Sequence, residues 1–443
     1  MGRASTLRVP RPTQARQPAL NGRLRRWLAR ELHHLRPAVR ASAARCDGER
    51  YRKHFDTFAQ TSLLLFHGLS GSPSLRQSYG AFAACPGLVA LSGLGDPRAA
   101  PEAGLRISYS QLAASNTSRP AAALAGLLPA LSARVRQATP EPGGSPPGDL
   151  HLLDSTFLAV ALRYARWLPS RGGADVPGVR LQVPYTPALD LPEHVLVTDT
   201  RTTDHQGFAR TLLDDPARLA ALRGHTLAFD LGYYCHRHFA QLVAAAVHFV
   251  TRRHRQARIT VEADRPVQAA LPGPPAGRIT VARDQRITLG SPNNRRGAVL
   301  RGLRLVTATV APQPQAARQG AAPVVYEVLT DRWDLSAHEV VQLYLWRWQI
   351  ELFFRWLKRY VRLPQLLGYS RNAVELTLIV ALLVHLLTVL AAHAWGWARR
   401  SPTLRARLGW LLGQLTPAEV AASAPPGCQL PFPGWGLPTP RPP

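Results

Sequence analysis

Four side chains of different chemistry recur at fixed intervals in this chain: Tyr344, Arg347, Glu351 and Lys358. Read as one helix over residues 340–361, they fall within an arc about 60° wide at the α-helical turn per residue. A hydroxyl, a guanidinium, a carboxylate and an ammonium would then line one stripe. Leu345, Trp348, Leu352 and Trp356 form a separate apolar stripe, which predicts a mostly buried helix. A carboxylate buried beside two cations needs a reason. The plain alternative is an Arg347–Glu351 i,i+4 salt bridge on a core helix. The lysine sharpens the pattern. The chain has 52 arginines and two lysines, Lys53 and Lys358, and one of the two closes this spacing.

Two further carboxylates have matching settings. His151–Thr156 reads as an apolar strand carrying Asp154, and Thr226–Tyr233 reads as another carrying Asp230, with Gly232 in the turn behind it. Two strand-borne aspartates and one helix-borne glutamate make a carboxylate triad. Oxygen donors of this kind suit divalent cations. Two such ions about 3.5–4 Å apart can clamp an in-line displacement at phosphorus.

At this point the chain resembles bacterial insertion-sequence transposases of the DDE class, in the cut-and-paste, hairpin-forming group with the Y-(2)-R-(3)-E-(6)-K signature. Tyr344, Arg347, Glu351 and Lys358 match it at every position. Phe229-Asp230-Leu231-Gly232-Tyr233 resembles the family's second-aspartate motif. Phe249–Arg252 resembles the next strand, and Tyr326–Thr330 the strand before the signature helix. Ser70–Arg76 and Ser110–Asn116 resemble the group's N-terminal region. The likeness spans roughly residues 54–400. It departs at Tyr326, where well-studied relatives carry a tryptophan that braces a flipped base.

The resemblance implies a role for each residue. Asp154, Asp230 and Glu351 would be catalytic and would hold two Mg²⁺ ions, with Mn²⁺ able to substitute. Arg347, Lys358, Arg252 and Tyr344 would contact DNA phosphates, and Tyr326 would brace the flipped base, with Trp333 and Trp346 as alternates. The partners implied are double-stranded DNA, as transposon terminal inverted repeats and target, and a second copy of the chain in a synaptic homodimer. The setting implied is the bacterial cytoplasm, at the nucleoid.

Composition agrees with a polyanionic partner. Formal charge is +27 and the pI is near 11.4, which favours nucleic acid first and an anionic membrane surface second. Residues 1–54 alone hold 14 Arg/Lys against 3 Asp/Glu. Arginine suits bidentate phosphate contacts, and a GC-rich genome gives the same bias. The cysteines, Cys46, Cys85, Cys235 and Cys428, include no CxxC pair, which argues against a zinc site and a disulfide framework. Cys235-His236-Arg237-His238 reads as ordinary helix surface. The arginine-rich N-terminus has no apolar run of a signal peptide behind it. Residues 376–397 carry no formal charge and are long enough to span a bilayer. His385, His393, Thr377 and Thr388 favour a buried core helix instead, with no membrane partner.

These patterns predict an α/β architecture: an RNase H-like catalytic domain interrupted by a mostly β insertion, with an N-terminal helical domain. The expected order is a partly disordered basic arm (1–53), a helical DNA-binding domain (54–139) and a Pro/Gly linker (140–148). The first part of the RNase H-like domain follows (149–256), then the β insertion (257–325). The second part with the C-terminal helices (326–423) and a disordered proline-rich tail (424–443) complete it. An architectural DNA-binding protein, such as a decayed transposase, would share the charge but does not require an intact carboxylate triad. A membrane-anchored protein using the 376–397 helix is a third reading, and it predicts detergent-dependent solubility.

Overall fold

A computed structural model of the chain describes residues 17–49, 55–95, 105–139, 146–159, 178–199, 201–267, 278–291, 298–360, 366–396 and 402–425. The chain forms two compact units, one of Met1–Leu131 with Pro364–Pro443 and one of Ser132–Leu363.

The first unit is helical and begins with α1 (Gln17–Arg45). Leu24, Leu28, Leu32, Leu35 and Val39 recur at three- and four-residue spacing, and all are buried. Arg23, Arg26, Arg30 and Arg40 fall on the exposed side. This corrects the expected basic arm over residues 17–45. The arginines hid an apolar stripe that is enough to anchor a helix. Residues 1–16 and 50–53 of that arm lie outside the described residues. Next come α2 (Thr57–Ser70), α3 (Leu75–Ala83), α4 (Pro86–Ser92), α5 (Tyr109–Ser118), α6 (Ala122–Ala125) and α7 (Leu127–Ala138), of which the residues from Ser132 on belong to the second unit. Asp56 and Ser74 cap α2 and α3 through their side chains, which satisfies amides that the helix itself leaves open. Most of the expected linker, residues 140–145, lies outside the described residues.

The second unit holds the sheet. Its elements are β1 (Leu150–Ala159), β2 (Gly178–Thr186), β3 (Leu191–Pro192), β4 (Leu196–Asp199), α8 (Asp204–Phe208), α9 (Pro216–Ala221), β5 (Thr226–Phe229), α10 (His236–Ala244) and β6 (His248–Arg252). They continue with β7 (Ile259–Asp264), β8 (Ile279–Leu289), β9 (Leu300–Val310), α11 (Pro314–Arg318), β10 (Val324–Thr330), α12 (Ala337–Trp346) and α13 (Trp348–Tyr360). The strands join one sheet in the order β3-β2-β1-β5-β6-β10-β9-β8-β7, with β4 also paired to β2. β1, β5 and β6 run parallel. β7, β8 and β9 form an antiparallel meander that joins the sheet through β10. The described residues of the segment 257–325 include β7, β8, β9 and the short α11, and these strands extend the sheet that carries the acids. The helical stretch before β5 is not continuous: α8 runs into a π turn at Ala209–Leu213, and α9 starts afresh at Pro216. Proline cannot donate to a preceding turn, so it opens a new helix.

The signature segment is two helices rather than one. Arg347 ends α12, and the amides of Arg347 and Ile350 bond to the carbonyls three residues back, at 3.0 and 3.2 Å. Such a turn advances about 120° per residue instead of about 100°, so the apolar face shifts across the junction. Trp348, expected in the buried stripe, is 49% exposed, whereas Ile350, Phe353 and Leu357 are fully buried. Phe353 stacks on Tyr185 of β2 with ring centres 5.1 Å apart.

α14 (Arg371–Trp395), α15 (Pro402–Gly413) and α16 (Pro417–Ser423) belong to the first unit. This corrects their expected grouping with the sheet. α16 packs on α1, α15 on α2, and α14 on α2 and α5. Arg25 pairs with Glu419 at 2.9 Å. Among the described residues α14 is the one helix long and apolar enough to cross a membrane, and 83% of its apolar window is buried. Residues 426–443 of the expected tail lie outside the described residues.

Candidate active site

Alternation along two strands places the aspartates. Leu153 of β1 pairs in register with Phe229 at the end of β5. Both enter the apolar cluster that includes Phe239 and Leu242 of α10. One residue further on, Asp154 and Asp230 face the other side of the sheet, because successive side chains alternate. That side is covered by α13, packed on β1, and by α12, packed across β5, β6 and β10. Glu351, in the first turn of α13, thereby joins the two aspartates on one face. The site lies where parallel β5 ends, the usual ligand-binding end of such strands.

One guanidinium holds this face together. Arg347 donates through Nη2 to Glu351 Oε1 at 2.8 Å, and its Nη1 lies 3.7 Å from Asp154 Oδ2. Burial works against its charge, but the nearby Tyr344, Asp230 and Glu351 together raise its pKa. The i,i+4 salt bridge is present, and it also reaches the first strand of the sheet. Asp154 accepts from the amide of Ser155 at 2.7 Å. Its carboxyl is still pushed up to about 6, first by desolvation and further by the charges of Asp230 and Glu351. Arg347 Nε is buried and has no hydrogen-bond partner among the described residues. It is a donor suited to an anionic oxygen.

Most of the other expected contacts form a chain that leads away from the acids. The Arg347 guanidinium lies over the Tyr344 ring at 5.8 Å, Tyr344 meets Tyr326 at 5.8 Å, and Arg252 lies over Tyr326 at 5.4 Å. Tyr344 is 4% exposed, and burial pushes its hydroxyl up to about 12. It stays protonated and can donate. Lys358 stands apart. It is exposed on α13, two turns beyond Glu351. Trp333 is engaged elsewhere: its indole donates to Gly302 O at 3.0 Å, and the Arg265 and Arg304 guanidiniums lie over its ring. Trp346, half-buried at the end of α12, has no place in the Arg252–Tyr344 chain.

Sequence reasoning missed a polar network beside Asp154. Asp204, in the first turn of α8, pairs with Arg180 of β2 at 2.5 Å and accepts from Ser155 Oγ at 2.9 Å. Tyr233 donates to Gln182 Oε1 at 2.7 Å, and burial with the charges of Asp154 and Asp204 raises its hydroxyl well above the usual value. One signal was legible. Thr203-x-x-Gln206 is a capping box, present here in both directions, and it marks the start of the helix that presents Asp204.

Asp154, Asp230 and Glu351 are the residues that would hold a divalent ion. All three donors are carboxylates, the hard oxygen set such ions take. The raised Asp154 carboxyl is what a desolvated acid shows when its counter-charge is incomplete. The three carboxylates do not all lie within 4.8 Å of one another. Arg347 stands between Asp154 and Glu351 as the counter-charge.

Residues 146–387 match the family described as transposase DDE domain. The chain is 28% identical over 282 residues to the putative transposase y4zB of Sinorhizobium fredii, covering 64% of this chain and 71% of that protein. It is 25% identical over 241 residues to the probable transposase for insertion sequence element IS5377 of Geobacillus stearothermophilus, covering 54% and 56%. A solved piggyBac transposase, in a synaptic complex with hairpin DNA, aligns with a TM-score of 0.41 at 11% identity, covering 91% of this chain and 83% of that one. With the family match extending over more than half its length and enclosing all three acids, the chain belongs to the family of transposases built on a DDE domain.

Proposed function

We propose that the chain is an insertion-sequence DNA transposase of the group with the Y-(2)-R-(3)-E-(6)-K signature, and that it cleaves transposon ends and joins them to target DNA. The observation that carries this reading is the gathering of Asp154, Asp230 and Glu351 about the Arg347 guanidinium, from two strands and a helix far apart in sequence. The DDE family works with divalent ions. The reading takes Mg²⁺ as the natural ion, two per site, with Mn²⁺ as substitute. When bound, such ions supply Lewis acidity at phosphorus and a more acidic attacking hydroxyl.

The chain's own groups orient the DNA. Arg347 and Lys358 hold phosphates beside the scissile step, and Arg252 holds one further out. Tyr344, kept protonated, donates a hydrogen bond there. Tyr326, flanked by Tyr344 and Arg252, braces a base expelled from a tight DNA bend. The steps are a nick at the transposon end, attack of the freed 3′-hydroxyl on the opposite strand to give a hairpin, hairpin opening, and joining to target. Each step exchanges one phosphodiester oxygen for another, with water or a 3′-hydroxyl as nucleophile.

The strand order β2-β1-β5-β6 supports an RNase H-like core split by the segment 257–325, and the basic helices of the first unit support a DNA-binding role. Action as a homodimer on paired ends, at the nucleoid of a bacterial cell, belongs to the same proposal. The test uses the purified full chain, Mg²⁺ and linear DNA carrying the inverted repeats that bound its gene. Wild type should nick and form hairpins, and EDTA should stop it. Asp154→Ala, Asp230→Ala and Glu351→Ala should each abolish cleavage while still shifting the DNA in a gel. Nicking retained by any of the three would remove that residue from the site.

A further inference from the structure

We propose that His205, Cys235 and His238 form a binding site for one zinc-class divalent ion, separate from the carboxylate triad. Their ligand atoms all lie within 4.8 Å of one another, the one such trio of His, Cys, Asp or Glu among the described residues. Two imidazoles and a thiolate are the borderline-soft donors that Zn²⁺ takes and that Mg²⁺ does not. Ligand atoms around a tetrahedral zinc lie about 3.4–3.8 Å apart. The 4.8 Å bound on the trio exceeds that spacing by about 1 Å.

The donors come from two elements. His205 is in the first turn of α8, Cys235 is the N-cap of α10, and His238 follows it by three residues, on the same helix face. Cys235 makes no side-chain capping bond, whereas the thiols of Cys46 and Cys85 are spent on backbone carbonyls. His238 Nδ1 is buried with no hydrogen-bond partner among the described residues, a costly state for an imidazole nitrogen. Phe208 and His205 fix its ring, at 5.1 and 5.9 Å between centres. Burial keeps it in the neutral, ligating form. The Cys235-His236-Arg237-His238 run, read from sequence as helix surface, lacked its third donor until folding brought His205 alongside.

The site has a structural consequence. It would tie α8 to the turn that leaves β5 and carries Asp230. Asp204, next to His205, already meets that turn: a Cβ on Gly232 would lie 3.0 Å from Asp204 Oδ2. The ion would act as a clip on the segment behind the second aspartate, and its fourth position is left to solvent.

Zinc alone, titrated into the chelator-stripped full chain against a chromophoric chelator, should bind at one equivalent. Asp154→Ala and Glu351→Ala should keep that equivalent, and Cys235→Ser should lose it. Co²⁺ should give a thiolate charge-transfer band in the wild type and none in Cys235→Ser. A measurement needing no variant is alkylation of the wild type read by peptide mass: zinc should slow modification of Cys235 at least about tenfold and leave Cys46 unchanged. No bound zinc, a cobalt spectrum without the thiolate band, or equal alkylation of Cys235 with and without zinc would each overturn the proposal.

Discussion

Arg347 meets Asp154 with 3.7 Å between Nη1 and Oδ2, and the same guanidinium donates to Glu351 at 2.8 Å. One cation thus compensates two acids that reach it from a helix and a strand. Removing it leaves partly buried carboxylates facing one another. We expect Arg347→Gln to destabilise the metal-free chain by about 3 kcal/mol. Saturating Mg²⁺ should restore much of the loss, because an ion on the carboxylates replaces the missing charge. Thermal unfolding with EDTA and with Mg²⁺ measures both. An equal loss in the two conditions would show that Arg347 serves packing alone.

Asp154 gives a pH dependence with a definite sign. Its carboxyl sits at about 6 in the folded chain against an ordinary 3.8. The folded state therefore binds this proton more tightly than the unfolded state. The stabilisation is fully present below about pH 4 and is lost as pH rises through about 6. In EDTA, Asp154→Asn should be more stable than wild type at pH 8 by up to about 3 kcal/mol, and the gap should close near pH 4. Urea midpoints across that range decide it. A less stable Asp154→Asn at pH 8 would mean that the bond from the Ser155 amide outweighs the desolvation.

The two aspartates were readable because each follows a short apolar run, and Glu351 because of its spacing to Tyr344, Arg347 and Lys358. Thr226–Phe229 is buried throughout, and a strand with no polar face that stops at an acid marks both the element and the residue. Other features left a weaker trace. The arginines of α1 obscured its leucine period. The tightened turn at Arg347 shifts the helical phase by an amount that no composition reveals, so the apolar stripe through Trp348 was misplaced. The membership of α14 to α16 in the first unit is a matter of long-range packing, which local patterns do not encode. Asp204 had a capping box before it, but nothing in sequence links it to Arg180 across the sheet.

The exposed arginines of α1 offer a measure of what the +27 charge does. Arg23, Arg26 and Arg30 line one cleft with Trp27 and Trp395, on a helix whose opposite face is buried. Replacing all three with glutamine leaves that face untouched. If they touch phosphates, the slope of log K against log salt should fall by about 0.9 for each phosphate no longer neutralised. Filter binding between 50 and 300 mM salt (about the useful range) measures it. An unchanged slope would assign the charge of this helix to composition.

Lys358 is the sharpest test of the signature. It is exposed on α13, two turns beyond Glu351, in a chain where arginine occupies nearly every other cationic position. If its task were only to add charge, arginine would serve equally well. An ammonium is a compact, rotatable point charge, whereas a guanidinium is a planar fork that claims two acceptors and more room. If Lys358 reaches a phosphate beside the acids, as proposed, the two are not equivalent. We expect Lys358→Arg to fold normally and bind transposon ends, yet to lose at least about tenfold in nicking or hairpin closure, or about 1.4 kcal/mol of transition-state stabilisation. Lys358→Ala should lose more. Because the side chain is exposed, thermal unfolding should be unchanged in both, which separates loss of catalysis from loss of fold. Single-turnover rates on pre-nicked and intact ends would show which step depends on the ammonium. Wild-type rates at both steps in Lys358→Arg would reduce this lysine to a chance survivor, and would leave Arg347 as the phosphate-holding cation of the signature.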